Sequence, residues 1–395
     1  MKIHSKRIYT ADGLKEGVLE ISDGKFVSFK ENETDCDVDY GNNRIIPGIF
    51  DTHNHGTCGY NPCGSEGMSS EDIKKDIRGY LKGLASQGTV NIFPTVMGVQ
   101  GCKEIYEVSK EVNDGAKILG IHSEGPWLNR VGEKGIKTGW PEVDPEVAKK
   151  MYEESNGLLR LVAIACEIPG TEEVIKYFLS KGVTMAAAHS DNNYEESCRG
   201  YDMGLSVSTH TGNVMTGLHH RDIGGLGAAL TREDVTCEVI CDGKHICNDM
   251  LKIYFKVKSL DKFMMVSDCT PLSGAQAGKY TAYGMEVNVT EDGFCLTDTG
   301  RLMGSTQPVL YDIYNLVENV GMDMETVVKM ACLNPCIKYG FDSYKGSIEV
   351  GKDADFCVIS DDYKALYTYS EGRCVYDREK EGVVFNTPYV EGMRL

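Results

Sequence analysis

Nine histidines occur in 395 residues, and eight of them fall between positions 53 and 245. They come in short blocks with carboxylates close by: His53-Asn54-His55, His122-Ser123-Glu124, Ala188-His189-Ser190, Thr209-His210 and Asp242-Gly243-Lys244-His245, alongside Cys166-Glu167 and Ser267-Asp268. Residues two apart in a strand point to the same side, so His53 and His55 can face one centre. Neutral imidazole is a ligand for zinc or ferrous iron, and a carboxylate such as Glu124 adds an anionic ligand able to bridge two ions. With His189 and His210 the set is four histidines and one glutamate. A catalytic metal keeps one position open for water, whose pKa it lowers towards about 7. A base must then take the proton, and Asp268 is the candidate; its alternatives are a further metal ligand or a helix N-cap ahead of Pro271. The chemistry these residue types suggest is metal-assisted hydrolysis.

Most of these blocks close an apolar run. Eight strand candidates follow in order: Ile45–His55, Val90–Val96, Lys117–Ser123, Leu159–Cys166, Val183–His189, Leu205–His210, Cys237–Cys241 and Lys262–Ser267. Between most of them lie helical stretches such as Ser70–Ser86, Gly101–Asp114, Pro145–Ser155 and Thr171–Lys181. That alternation predicts a parallel α/β architecture. Eight units over roughly 250 residues fit a (β/α)8 TIM-like barrel, whose chemistry sits at the C-terminal ends of its strands. A doubly wound open sheet would need a Gly-rich phosphate turn after its first strand, and Asp51-Thr52-His53-Asn54-His55-Gly56 is not one. Residues 1–48 read as short strands around an Asp23-Gly24 hairpin turn, and the segment from 343 onward has the same texture. The expected organisation is therefore a barrel over 49–342, with 1–48 and 343–395 meeting in a small β-sandwich domain.

Lys and Arg number 41 against 59 Asp and Glu, a net charge of −18, which argues against a nucleic-acid surface or an anionic membrane surface. Met1–Ile8 carries no apolar core after its positive charges, and no run approaches the roughly 18 apolar residues of a membrane span. Fifteen scattered cysteines, several within apolar runs, read as reduced thiols in a cytoplasmic chain.

The sequence resembles the amidohydrolase superfamily from about residue 1 to residue 380. The likeness rests on Pro47–Gly56, His122–Asn129, Ala188–Ser190, His210 with Asn213, His219–Asp222, Asp242–His245, Ser267–Thr270 and the return segment Gly346–Asp355. Within that superfamily it is similar to the deacetylases of N-acetyl amino-sugar phosphates. The resemblance implies hydrolysis of the acetamide of N-acetylglucosamine 6-phosphate to glucosamine 6-phosphate and acetate, with N-acetylgalactosamine 6-phosphate as the alternative. It implies a divalent metal held by Glu124, His189 and His210, and a second held by His53 and His55, hence one or two ions. Zinc is the expected ion, with iron, manganese or cobalt as alternatives. Asp268 matches the catalytic acid/base; Asn213 and the backbone at Val214, His220, Arg221 and His245 match positions that bind substrate. In relatives the arginine comes from the neighbouring subunit, which implies a homodimer with Arg221 crossing the interface.

Two departures touch the substrate pocket and leave the metal set intact. Lys137 stands where relatives carry a substrate-contacting histidine, and Gly212 stands where they carry a bulky residue. A cyclic-amide hydrolase would bring a carboxylated lysine at the fourth strand, which here ends Ala165-Cys166-Glu167. A deaminase on the same barrel and a non-catalytic scaffold are the remaining readings; the complete ligand set weighs against the scaffold. If Lys137 binds an anion or hydroxyl of the substrate, Lys137→Ala raises KM for phosphorylated substrates in steady-state assays; an unchanged KM for all of them contradicts that role.

Overall fold

The computed structural model describes residues 1–65, 67–112, 114–129, 142–282 and 284–395; Lys137 lies outside these described residues. Eight parallel strands form one ring in chain order: Ile49–Asn54, Thr89–Val96, Ile121–Glu124, Leu159–Ile164, Thr184–Ala187, Leu205–Ser208, Thr236–Val239 and Phe263–Met265. All six residues of the first and all eight of the second are buried, as expected for strands covered on both faces. Helices between them start at recognisable signals. Ser69 caps helix Ser70–Ser86 by accepting from the Asp72 N–H, and Asn193 with Glu196 forms a capping box on helix Tyr194–Asp202, just after His189.

The barrel packs around two main clusters. One cluster, including Ile49, Ile92, Val162, Ile164, Leu84 and Phe178, packs strands against helices. Another draws Phe50, Phe93, Leu161, Ala163, Ala186, Val207 and Met264 from six of the eight strands and adds Phe341. Those positions are what the inward face of a closed barrel supplies, and they form a packed interior.

The first and eighth strands close the ring through a single bridge, Asn54 with Cys269, reinforced by side chains. The Asp51 carboxylate accepts from Ser267 Oγ at 2.6 Å, from the Ser267 N–H at 3.2 Å and from Asn54 Nδ2 at 3.2 Å. Burial pushes its carboxyl up to about 6, against the lowering effect of these hydrogen bonds. Backbone bonds from Asp268 N to the His53 carbonyl, 2.9 Å, and from His55 N to the Cys269 carbonyl, 2.8 Å, finish the seam.

Chain ends meet in a second sheet, where Arg44–Pro47 pairs antiparallel with Phe356–Ile359 and parallel with Lys2–Thr10. The expected sandwich is one connected sheet of eight strands, folded over so that Phe26 and Phe356 near its opposite limbs lie 6.0 Å apart. The expected strand Ile45–His55 is broken at Gly48, where an added Cβ would come within 2.8 Å of Val90 Cβ. Asp23 and Gly24 both have positive φ, 51° and 77°, as the twist of a two-residue hairpin requires. Asp355 ties this sheet to the barrel: it receives Lys345 Nζ at 2.6 Å and Asn91 Nδ2, from the second barrel strand, at 3.2 Å.

Two elements were not expected. A three-stranded antiparallel sheet, Gly278–Ala282, Met285–Val289 and Cys295–Thr297, follows the eighth strand, and helix Thr387–Met393 packs beside it. Among the described residues no helix is long and apolar enough to cross a membrane. All fifteen cysteines belong to the described residues and are free thiols.

Candidate active site

Glu124 ends the third barrel strand, and its buried carboxylate is where the histidines converge. Oε1 lies 2.9 Å from His189 Nε2 and 2.9 Å from His210 Nε2, while Oε2 lies 3.1 Å from His55 Nε2. His53 Nε2 is 3.8 Å from Oε1 and 3.1 Å from His55 Nε2. His189 and His210 also face each other, Nε2 to Nε2, at 3.1 Å. Two donor groups result, His53 with His55 and His189 with His210, sharing Glu124; within each group the donor atoms lie within 4.8 Å of one another.

Burial by itself would push the Glu124 carboxyl up, but His189 and His53 outweigh it and hold it well below the usual carboxylate range. Burial would likewise lower His53, yet Asp268 and Glu124 hold its imidazolium well above the ordinary value. Imidazole nitrogens facing one another at 3.1 Å need a proton or a cation between them. Four such nitrogens around one carboxylate are a mixed N/O set of the kind that suits a divalent first-row ion, so the residues fit a metal.

The backbone holds these groups in an uncommon conformation. His189, His210 and Asp268, each just beyond its strand, have φ of 45°, 29° and 49°. Left-handed non-glycine residues cost on the order of 1–3 kcal/mol each and persist where surrounding structure over-determines them. Here the fixing bonds are Asn129 N to the His189 carbonyl, Asn213 N to the His210 carbonyl, and Ser305 N to the Asp268 carbonyl.

Asp268 Oδ1 stands 3.5 Å from His53 Nε2 and 3.4 Å from His55 Nε2. The helix-cap alternative is overturned, because the next element after it is the strand Gly278–Ala282. His245 follows the seventh strand and feels the charge of Asp268. Its Nδ1 is 2.6 Å from Asp242 Oδ2, which leaves Nε2 as its other ring nitrogen. Burial lowers the His245 imidazolium, and Asp242 more than restores it, with a smaller contribution from Asp268.

The other substrate candidates divide. Asn213 donates from Nδ2 to the His210 carbonyl at 3.1 Å, and the Val214 carbonyl accepts from Ser190 N at 3.2 Å, so both are part of the histidine-bearing loops. His220 and Arg221 lie in an exposed turn, Arg221 Nη1 2.8 Å from His220 Nε2. They line a surface hollow of about 530 Å³ with Asn193, Tyr194 and Ile223, and none of the metal-set residues is among its described lining. Gly212, with φ 101°, is dictated by packing: a Cβ there would come within 2.2 Å of Tyr254 Oη.

Sequence reasoning missed Glu238, fully buried in the seventh strand. Thr52 Oγ1 donates to its Oε1 at 2.9 Å. Its Oε2 faces His53 Nδ1 at 3.5 Å, and neither atom has a hydrogen-bond partner among the described residues. A carboxylate on the far ring nitrogen holds the proton there and leaves Nε2 free to ligate. The signal was a lone acidic residue inside the apolar run Thr236-Cys237-Glu238-Val239. Glu167, by contrast, braces the loop carrying His189: it accepts from Asn129 Nδ2 at 2.8 Å, Asp191 N at 2.9 Å and Ser190 Oγ at 3.0 Å.

A family model described as the amidohydrolase family matches residues 44–382. The N-acetylglucosamine-6-phosphate deacetylase of Vibrio furnissii is 28% identical over 84% of this chain and 83% of its own length. The N-acetylgalactosamine-6-phosphate deacetylase of Escherichia coli O157:H7 is 27% identical over 94% of this chain and 98% of its own. Among solved structures, the N-acetylglucosamine-6-phosphate deacetylase of Pasteurella multocida is 26% identical with a TM-score of 0.83, covering 94% of this chain and 98% of that one.

Replacing Glu238 with Gln keeps the shape and removes the charge behind His53. The expected result is a loss of metal affinity of about 10- to 100-fold with unchanged secondary structure, read as metal retained after graded chelator dialysis. Identical retention by Glu238→Gln and the parent protein contradicts the role.

Proposed function

The chain belongs to the amidohydrolase family, and on that premise we propose that it is a metal-dependent deacetylase of N-acetylhexosamine 6-phosphates, N-acetylglucosamine 6-phosphate first among them. The observation that carries this reading is the convergence of four imidazoles on Glu124 with Asp268 beside them at the barrel mouth. N-acetylgalactosamine 6-phosphate is the second substrate, favoured by the comparable identity of a relative bearing that name.

Glu124, His189 and His210 would hold one ion, and His53 with His55 a second; zinc is the proposed ion, with iron, manganese or cobalt as alternatives. A divalent cation there supplies Lewis-acid polarisation of the amide carbonyl and acidifies a water. Asp268 takes a proton from the attacking water and returns it to the amine nitrogen as the C–N bond breaks. His245, oriented by Asp242, offers its second ring nitrogen to the substrate. Asn213 and the Val214 backbone line the approach from the His210 side. Arg221 offers a planar fork for the phosphate, assisted by His220.

Arg221 serves the neighbouring copy in this proposal, so the working unit is a homodimer. Support comes from its exposed turn, where Leu218 and Ile223 are exposed apolar side chains close by. A charge of −18 is consistent with a small anionic substrate bound by local cations, and no nucleic-acid or membrane partner is proposed. Fifteen free thiols favour a reducing compartment, and the cytoplasm is the proposed location.

An amine-release assay on N-acetylhexosamines with and without 6-phosphate tests the reading. The phosphorylated glucosamine substrate should turn over, with the unphosphorylated sugar weaker in kcat/KM by about 10- to 100-fold, the worth of a charge-assisted contact. Asp268→Asn should retain metal and lose about 10²- to 10⁴-fold in kcat; near-normal turnover overturns its role. The dimer has its own test. Mixing inactive Asp268→Asn with Arg221→Ala, under conditions that exchange subunits, should restore activity at one site per mixed dimer, and no recovery contradicts a shared site.

A further inference from the structure

Beside His55 a cavity of about 390 Å³ opens on the side of the barrel mouth formed by the eighth, first and second strands. Its walls include Cys63, Met97, Leu272, Ala282 and Met393, from the three strand loops, the added sheet and the C-terminal helix. Apolar groups supply most of the exposed wall, and Asn61, Ser65, Gln100, Thr270 and Thr281 form its polar part. Cys63 Sγ donates to the Thr95 carbonyl at 3.3 Å, and burial pushes its thiol up to about 12, so it acts as an apolar wall rather than a nucleophile. The sugar candidates that this chain gives its own site sit elsewhere around the ring: Asn213 follows the sixth strand and His245 the seventh. In a ring of eight, the sixth strand stands opposite the second.

An amide carries its amine and its acyl substituent on opposite sides of the carbonyl carbon. With the sugar amine directed to the sixth- and seventh-strand loops, the acyl substituent points across the metal ligands towards His55 and this cavity. An acetyl methyl is about the size of one water, whose share of liquid volume is about 30 Å³, and would fill roughly a tenth of the space.

We propose that this cavity is an acyl-chain subsite, and that the enzyme hydrolyses amino-sugar phosphates carrying straight-chain N-acyl groups of about four to six carbons as well as N-acetyl. The inference rests on the deacetylase reading and extends its substrate class. Water adds to the acyl carbonyl carbon, and the C–N bond breaks with its electron pair going to nitrogen. That nitrogen takes a proton from the water, giving a fatty carboxylate and the amino-sugar phosphate.

The test is a series of N-acetyl, N-butanoyl and N-hexanoyl glucosamine 6-phosphates, with amine release measured for each. Full burial of each added methylene corresponds to roughly a fourfold gain in kcat/KM, so the expected profile is level or rising from two to six carbons. Met393→Trp, which narrows the cavity from the C-terminal helix, should lower the hexanoyl-to-acetyl ratio of kcat/KM by tenfold or more. Should that variant not fold, Met97→Trp at an exposed position makes the same test. Turnover of the acetyl substrate with a tenfold or greater fall at butanoyl overturns the subsite and leaves the deacetylase standing. A ratio unmoved by the tryptophan also overturns the subsite. Hydrolysis of the hexanoyl but not the acetyl substrate upholds the subsite and removes the acetyl reading, and no hydrolysis of any member removes both.

Discussion

A carboxylate buried in a protein is unfavourable unless charge or hydrogen bonds surround it, and Glu124 is buried at the mouth of the barrel. Three imidazole nitrogens lie within 3.1 Å of its oxygens and a fourth is 3.8 Å away. They arrive from the first, fifth and sixth strands, so no local segment can build the site. Only ring closure brings those strand ends together, and the requirement to close the ring runs through the rest of the structure.

Closure is weakest where the first and eighth strands meet, because their backbones share one bridge. Asp51, Ser267 and Asn54 supply the missing cohesion through side chains. The same seam positions the candidate site: the Asp268 N–H donates to the His53 carbonyl and the His55 N–H to the Cys269 carbonyl, so the candidate base and the His-x-His pair are fixed to each other by two backbone bonds. Beneath it, Glu238 and Thr52 form a buried polar pair against the His53 ring. The added sheet and C-terminal helix then wall in the space on the His55 side.

Much of this was legible in the sequence because the barrel repeats one local rule. An apolar run ending in His, Glu or Asp marks a strand and its mouth-facing end together, and the structure gathers His53, His55, Glu124, His189, His210 and Asp268 at those ends. The helix at Ser70–Ser86 was readable from its residues, and the Asp23-Gly24 turn from its dipeptide. Glu238 was hidden because a buried strand residue has no exposed periodicity to betray its partner, which lies 185 positions away in His53. The break at Gly48 follows from the approach of Val90, a tertiary contact that no window around Gly48 contains. Strands Gly278–Ala282 and Met285–Val289 alternate buried and exposed residues, a periodic signal that the eight-unit pattern overshadowed.

The net charge of −18 sets the last constraint: the phosphate of the proposed substrate must be met by local cations, His245 beside Asp242 and, in the proposed dimer, Arg221 and His220 of the neighbouring copy. All of it depends on Glu124 and its histidines being a metal centre. Anomalous diffraction at the metal absorption edge, from crystals of protein purified without chelator, tests that claim most directly. The expected result is a peak bound by Glu124, His189 and His210 at about 2.0–2.2 Å, with any second peak beside His53 and His55. Well-ordered side chains with no peak, still paired to one another at hydrogen-bond distance, would contradict it.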